Sequence, residues 1–69
     1  MNERLERLIE EMVSKGIRFD DASREFERRF ISRVLAESDG NLSKAADVLG
    51  IHRNTLSRKM AEHRLKRHP

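Results

Sequence analysis

Within residues 50–60, GIHRNTLSRKM, Arg53, Asn54, Thr55, Arg58 and Lys59 fall inside a span of seven residues. Such side chains can read a base-pair edge or hold a phosphate. A guanidinium bridges two acceptors on guanine or clamps a phosphate, a carboxamide pairs bidentately with adenine, and a hydroxyl or an imidazole such as His52 reaches phosphate or base. The run is broken by Ile51, Leu56 and Met60. With Leu56 and Met60 facing inward, helical spacing sends Asn54, Arg58 and Ala61 to the opposite side, which makes them the best-placed readers. Arg53 points nearer the buried side. It either reaches past the helix end or pairs with an acid of a preceding helix.

Reading a groove requires a rigid mount, and the flanking residues describe one. Asn41 can cap a helix through Leu49 that carries Ala45, Ala46, Val48 and Leu49, and Gly50 can close it in the left-handed conformation. A last helix runs from about Arg53 to Arg64 or beyond. Only Gly50-Ile51-His52 separates the two, and small Ala46 allows close backbone approach, so the pair is a helix-turn-helix candidate. Ala45, Leu49, Ile51, Leu56 and Met60 would fill the wedge. Ile51 precedes the expected cap His52 and can staple onto Leu56. In this arrangement the second helix enters a major groove by its N-terminal turns. Asn41, Ser43 and Lys44, at the start of the first helix, suit a phosphate, because free amides and the helix dipole favour an anion there. Lys59 and the tail residues Arg64, Lys66 and Arg67 read as further phosphate contacts, with a disordered basic end the equal alternative for the tail.

Two longer helices precede this unit. Leu5, Leu8, Ile9, Met12 and Val13 recur at i, i+3, i+4, i+7 and i+8, which predicts an amphipathic helix capped by Asn2. Gly16 should end it, with Ile17 folding back on Met12. A second helix is expected to start near Asp20 or Asp21 as cap and to run to about Ser38, before Asp39-Gly40-Asn41. Its apolar residues, Ala22, Phe26, Phe30, Ile31, Val34 and Leu35, cover an arc of about 220°, too wide for one partner helix. A second copy of the chain would supply the other neighbour.

The 69 residues form one small all-α domain, divided into dimerisation helices over 1–39, a helix-turn-helix over 41–65 and a basic tail over 66–69. So short a chain needs a staple. With no cysteine, disulfides are excluded and association is the remaining route. Absence of cysteine also fits a reducing cytoplasm. Residues 1–40 hold eight Lys/Arg and ten Asp/Glu, whereas 41–69 hold seven and two. A basic C-terminal part on a near-neutral scaffold suits a polyanion such as double-stranded DNA. No apolar run matches a membrane span, and the polar face of the first helix is too acidic for a membrane-surface anchor. His52 and His63 lack carboxylate or cysteine companions at ligand spacing, and no phosphate loop or nucleophile constellation is present, so no metal, cofactor, small-molecule substrate or enzyme activity is expected. The alternative is a helical interaction module whose basic part meets an acidic protein.

The segment GNLSKAADVLGIHRNTLSRKM resembles the C-terminal region of the Fis family, shared by Fis and by the terminal domains of NtrC-type activators. Gly40, Asn41, Ser43, Ala45, Ala46, Leu49, Gly50, Ile51, Arg53, Thr55, Leu56, Arg58 and Lys59 match its pattern. The resemblance implies a four-helix homodimer knitted by the first two helices, whose paired recognition helices dock in major grooves and bend DNA, in transcription regulation or nucleoid organisation. It also implies DNA contact by Asn41, Ser43, Arg53, Thr55, Arg58 and Lys59, with Arg53 among base edges. His52 stands where serine or asparagine is usual, and His63-Arg64 replaces an aromatic and a glycine, so the last helix is expected to run on. Starting at helix 1, without the N-terminal arm that assists recombinases and without an ATPase domain, the chain is expected to be either a stand-alone binder, the reading that Met1 just before the helix favours, or a piece of a larger activator.

Overall fold

The computed structural model describes residues 2–66 and contains four helices, α1 Glu3–Ser14, α2 Phe19–Glu37, α3 Leu42–Leu49 and α4 Arg53–His63. Asn2 caps α1 as its position suggests, its side chain accepting from the Leu5 amide at 3.1 Å. At the other end Gly16 takes φ 77°, and the Ile17 amide donates to the Met12 carbonyl at 3.1 Å, which is the expected fold-back.

The start of α2 differs from expectation. Neither Asp20 nor Asp21 is the cap: the helix begins at Phe19, with Arg18 in the capping position and no side-chain bond to the free amides. Both aspartates lie instead inside the first turn, where their charges offset the positive end of the helix dipole. Phe19 is left 82% exposed. At its C-terminus α2 ends at Glu37, and Asp39 and Gly40 both take positive φ, at 52° and 75°, to turn the chain into α3. Aspartate is among the few residues that tolerate this region.

The buried core is confined to one end of the molecule. Ile31, Val34 and Leu35 from the C-terminal half of α2 meet Ala45 and Ala46 of α3 and Leu56 and Met60 of α4, with Leu42, Leu49, Ile51 and Leu65 packed around them. Leu35 and Leu56 are its largest fully buried side chains. The two alanines let α3 approach closely, as the wedge requires. By contrast, no residue of α1 is buried, and the other side of α2 leaves Phe26 and Phe30 half exposed, their rings tilted by 41° with centroids 5.4 Å apart. Leu8, Ile9, Met12 and Val13 of α1 face those rings across an open apolar groove. The wide apolar arc of α2 is therefore half satisfied: the Ile31/Leu35 side is covered, the Phe26/Phe30 side is not.

Candidate nucleic-acid interface

The mount for α4 is set by two tight closures. Asn41 accepts from the Lys44 amide at 3.1 Å through its side chain, fixing the start of α3. Gly50 closes that helix at φ 72°, and the Ile51 amide returns to the Ala46 carbonyl at 3.1 Å. A Cβ at Gly50 would meet no atom within 4 Å, so glycine is required there by its dihedral alone and not by crowding.

His52 then caps α4. Its Nδ1 accepts from the Asn54 amide at 3.0 Å while its carbonyl accepts from the Leu56 amide. Accepting through Nδ1 places the ring proton on Nε2, so the exposed edge of this imidazole is a donor. Asparagine or serine would do the capping work by oxygen; histidine does it by nitrogen and adds an outward N–H.

Around this frame the candidate contact residues separate into two groups. Asn41, Ser43, Lys44, His52, Arg53, Asn54 and Arg58 are exposed and Thr55 is partly covered, all on α3 or α4 or their capping residues. Arg53 pairs with no acid among the described residues, which removes the alternative of a bridge to α2. Lys44 and Arg58 are likewise free of acidic partners among those residues. On the scaffold helices, Arg7, Lys15, Arg29 and Arg33 are each paired one turn away with Glu3, Glu11, Glu25 and Glu37. Half of the eight scaffold cations are thus paired, Arg4, Arg18, Arg24 and Arg28 being the others, whereas on the helix-turn-helix Lys59 is the one Lys/Arg with an acidic partner among the described residues.

Lys59 departs from the expectation of an outward phosphate contact. Its ammonium is 2.7 Å from Glu27 Oε1 on α2, and the second oxygen, Oε2, lies 2.6 Å from His63 Nε2. The hydrogen bond from Lys59, and after it the one from His63, hold the Glu27 carboxyl below its ordinary range against the opposing effect of burial. Glu27 was absent from the sequence reading. The signal was present, since an acid four residues before Ile31 and seven before Val34 falls on the buried stripe of α2. Donor atoms of Glu27, Glu62 and His63 also come within 4.8 Å of one another. Both Glu27 oxygens are already engaged by Lys59 and His63, so the cluster is an internal ion pair.

The last helix does not run on. It ends at His63, Arg64 takes φ 55°, and the Leu65 amide donates to the Met60 carbonyl at 2.9 Å. Packing of Leu65 against the core draws the chain back, although a non-glycine residue must then occupy the left-handed region. Lys66 is exposed, and the remaining tail residues, Arg67 included, lie outside the described residues. No helix among the described residues is long and apolar enough to cross a membrane.

Comparison with known proteins agrees with this geometry. Residues 22–63, spanning nearly all of α2 through α4, match the family model described as bacterial regulatory protein, Fis family. The chain is 45% identical over 51 residues to the DNA-binding transcriptional regulator NtrC of Azospirillum brasilense, covering 74% of this chain and 10% of that protein. It is 48% identical over 42 residues to a putative Fis-like DNA-binding protein of Xylella fastidiosa, covering 61% of this chain and 47% of the relative. A similar protein of Ralstonia nicotianae is 40% identical over 47 residues, 68% of this chain and 61% of the relative. The chain therefore spans less than two thirds of the length of each. No solved structure matches significantly. From its four-helix architecture and its match across the helix-turn-helix, the chain belongs to the Fis family of bacterial regulatory proteins.

Proposed function

We propose that the chain is a homodimeric DNA-binding protein that docks α4 in the major groove, acting in transcription regulation or nucleoid organisation in the bacterial cytoplasm. The observation that carries this reading is the set of acid-free cations Lys44, Arg53 and Arg58 on the exposed face of a helix-turn-helix, in a part of the chain, residues 41–69, that holds seven Lys/Arg against two Asp/Glu. Clustered charge of this kind attracts phosphate whatever the base sequence. The names of the relatives, a DNA-binding transcriptional regulator and Fis-like DNA-binding proteins, support it.

In this reading Arg53, Asn54 and Arg58 face base edges, with Thr55 and the outward Nε2–H of His52 on phosphate. Asn41, Ser43 and Lys44 set the docking register at the start of α3. Lys59 joins them only if phosphate displaces Glu27. The dimer is supported by the uncovered groove between α1 and α2, where Leu8, Ile9, Val13, Phe26 and Phe30 remain 45–69% exposed. Apolar patches of this kind seldom stay open to water. Two recognition helices on one rigid dimer would engage successive major grooves, and a spacing that differs from the DNA repeat would bend the duplex.

The test is binding of a duplex of about three helical turns, followed by fluorescence anisotropy at fixed moderate salt. Arg53→Ala is expected to weaken binding at least about tenfold, in line with the loss of one bidentate contact per subunit. Unchanged binding after that substitution would remove Arg53 from the interface.

A further inference from the structure

We infer that Glu27 is a positioning residue that sets the orientation of the recognition helix α4 on α2, and through it the discrimination between DNA sites. The inference rests on the DNA-binding reading above and extends it to a residue with no place on the contact surface.

The geometry is a two-point grip. One carboxylate holds Lys59 by Oε1 and His63 by Oε2, at 2.7 and 2.6 Å, and these two residues are one turn apart on α4. Each contact lies off the helix axis and so resists rotation of α4, and two of them a turn apart resist its tilt as well. Packing of Leu56 and Met60 sets the depth and the buried face of α4, to which the two hydrogen bonds add directional definition. The Glu27 bonds are the only side-chain hydrogen bonds between different helices among the described residues.

Placement makes the grip consequential. His63 is buried, its side chain 4% exposed, so its half of the grip is shielded from competing water. Glu27 and Lys59 also line the apolar groove between α1 and α2. A second copy seated in that groove would cover the carboxylate and ammonium, and hydrogen bonds to charged groups strengthen as water leaves. Formation of the dimer would therefore stiffen the recognition helix at the same time as it pairs it with its twin. Rotation of α4 would affect the two kinds of DNA contact unequally. A long, free cation such as Lys44 can follow a phosphate through a small rotation, whereas bidentate contacts to base edges cannot. Loosening the grip is thus expected to degrade specificity while leaving phosphate-driven affinity largely in place.

The experiment compares binding to a duplex selected from a random pool by the unaltered protein with binding to a scrambled duplex of the same length and composition. It is run for the unaltered chain, Glu27→Ala, Glu27→Gln and His63→Phe, with helicity and sedimentation recorded for each. Glu27→Ala is expected to lower the ratio of the two affinities roughly tenfold, while its affinity for the scrambled duplex changes by less than about threefold. Glu27→Gln keeps an acceptor for Lys59 and an amide that can donate to His63, and is expected to retain most of the ratio. Should Glu27→Ala fail to fold, His63→Phe, which keeps a planar ring at the site but cuts one of the two contacts, is expected to show the same loss of ratio. A ratio unchanged in the folded variants, or lost equally in Glu27→Gln and Glu27→Ala, would overturn the positioning role. An unaltered protein that binds neither duplex would overturn the DNA-binding reading itself, a separate and recognisable failure.

Discussion

His52 accepts the Asn54 amide through Nδ1 at 3.0 Å, so the first turn of α4 is capped by an imidazole. Removing that acceptor by His52→Ala is expected to destabilise the fold by about 1 kcal/mol, the usual cost of a lost cap. His52→Asn and His52→Ser should match or exceed the stability of the unaltered chain. Urea titrations followed by circular dichroism check the order, and an alanine variant as stable as the asparagine one would show that the cap contributes nothing.

Arg64 and Gly50 make an opposed pair. Both occupy the left-handed region, at φ 55° and 72°, but only one is glycine. Gly50→Ala is expected to cost about 1 kcal/mol from dihedral strain, since space for the methyl group is open. Arg64→Gly should relieve strain of the same kind and raise stability by up to about 1 kcal/mol, the greater freedom of glycine in the unfolded chain offsetting part of the gain. Thermal melts of the two variants should move in opposite directions.

The Glu27 network gives stability a specific pH dependence. Its carboxyl is held lower in the folded chain than in the unfolded one, chiefly by the hydrogen bond from Lys59 and next by that from His63. A depressed carboxylate contributes stability that is present above the unfolded value of about 4.3 and is lost as pH falls through the folded value. The stability gap between the unaltered chain and Glu27→Gln should therefore be full above the unfolded value and close as pH falls through the lower folded one. Chemical denaturation at a series of pH values measures it; a gap that grows on acidification would contradict the assignment.

The groove between α1 and α2 predicts self-association. Phe26, 61% exposed in the single chain, would be covered once in each copy, so Phe26→Ala removes its contribution twice from a symmetric dimer. At roughly 1.5–3 kcal/mol for a fully buried phenylalanine, of which about three fifths remains to be covered in each copy, the dimer should weaken by at least about tenfold in dissociation constant. Sedimentation equilibrium at micromolar concentration checks this. A compact monomer of the unaltered 8.1 kDa chain would remove the need for the groove to be covered.

Much of this molecule was legible before its structure. Asn2, Asn41, Gly16 and Gly50 announce their helix ends because capping depends on residues within four positions of the end, and such local chemistry can be read from spacing. The periodicity of α2 likewise foretold two packing sides, of which the structure covers one. Where the reading failed, the deciding contact was remote or local signals competed. Asp20 and Asp21 were natural caps, yet the capping position falls two residues before Asp20, at Arg18, and the helix uses both aspartates against the dipole. The end of α4 was set by Leu65 returning to the core, which the absence of glycine at Arg64 obscured. Glu27 and Lys59 are thirty-two residues apart, and no local pattern joins them. Of the candidate contact residues, those on the exposed side of α4 were recoverable from the helical period, while Lys59 could be placed only once α2 lay beside it.

The central claim, that free cations on α3 and α4 meet a polyphosphate, is tested most directly by the salt dependence of duplex binding. Each neutralised phosphate contributes about 0.9 to the slope of log affinity against log salt concentration, so several contacts per subunit should give a steep linear fall. Lys44→Ala should reduce the slope by roughly one for each subunit whose phosphate contact is lost. A flat response to salt, with the slope unmoved by that substitution, would contradict DNA binding by this surface.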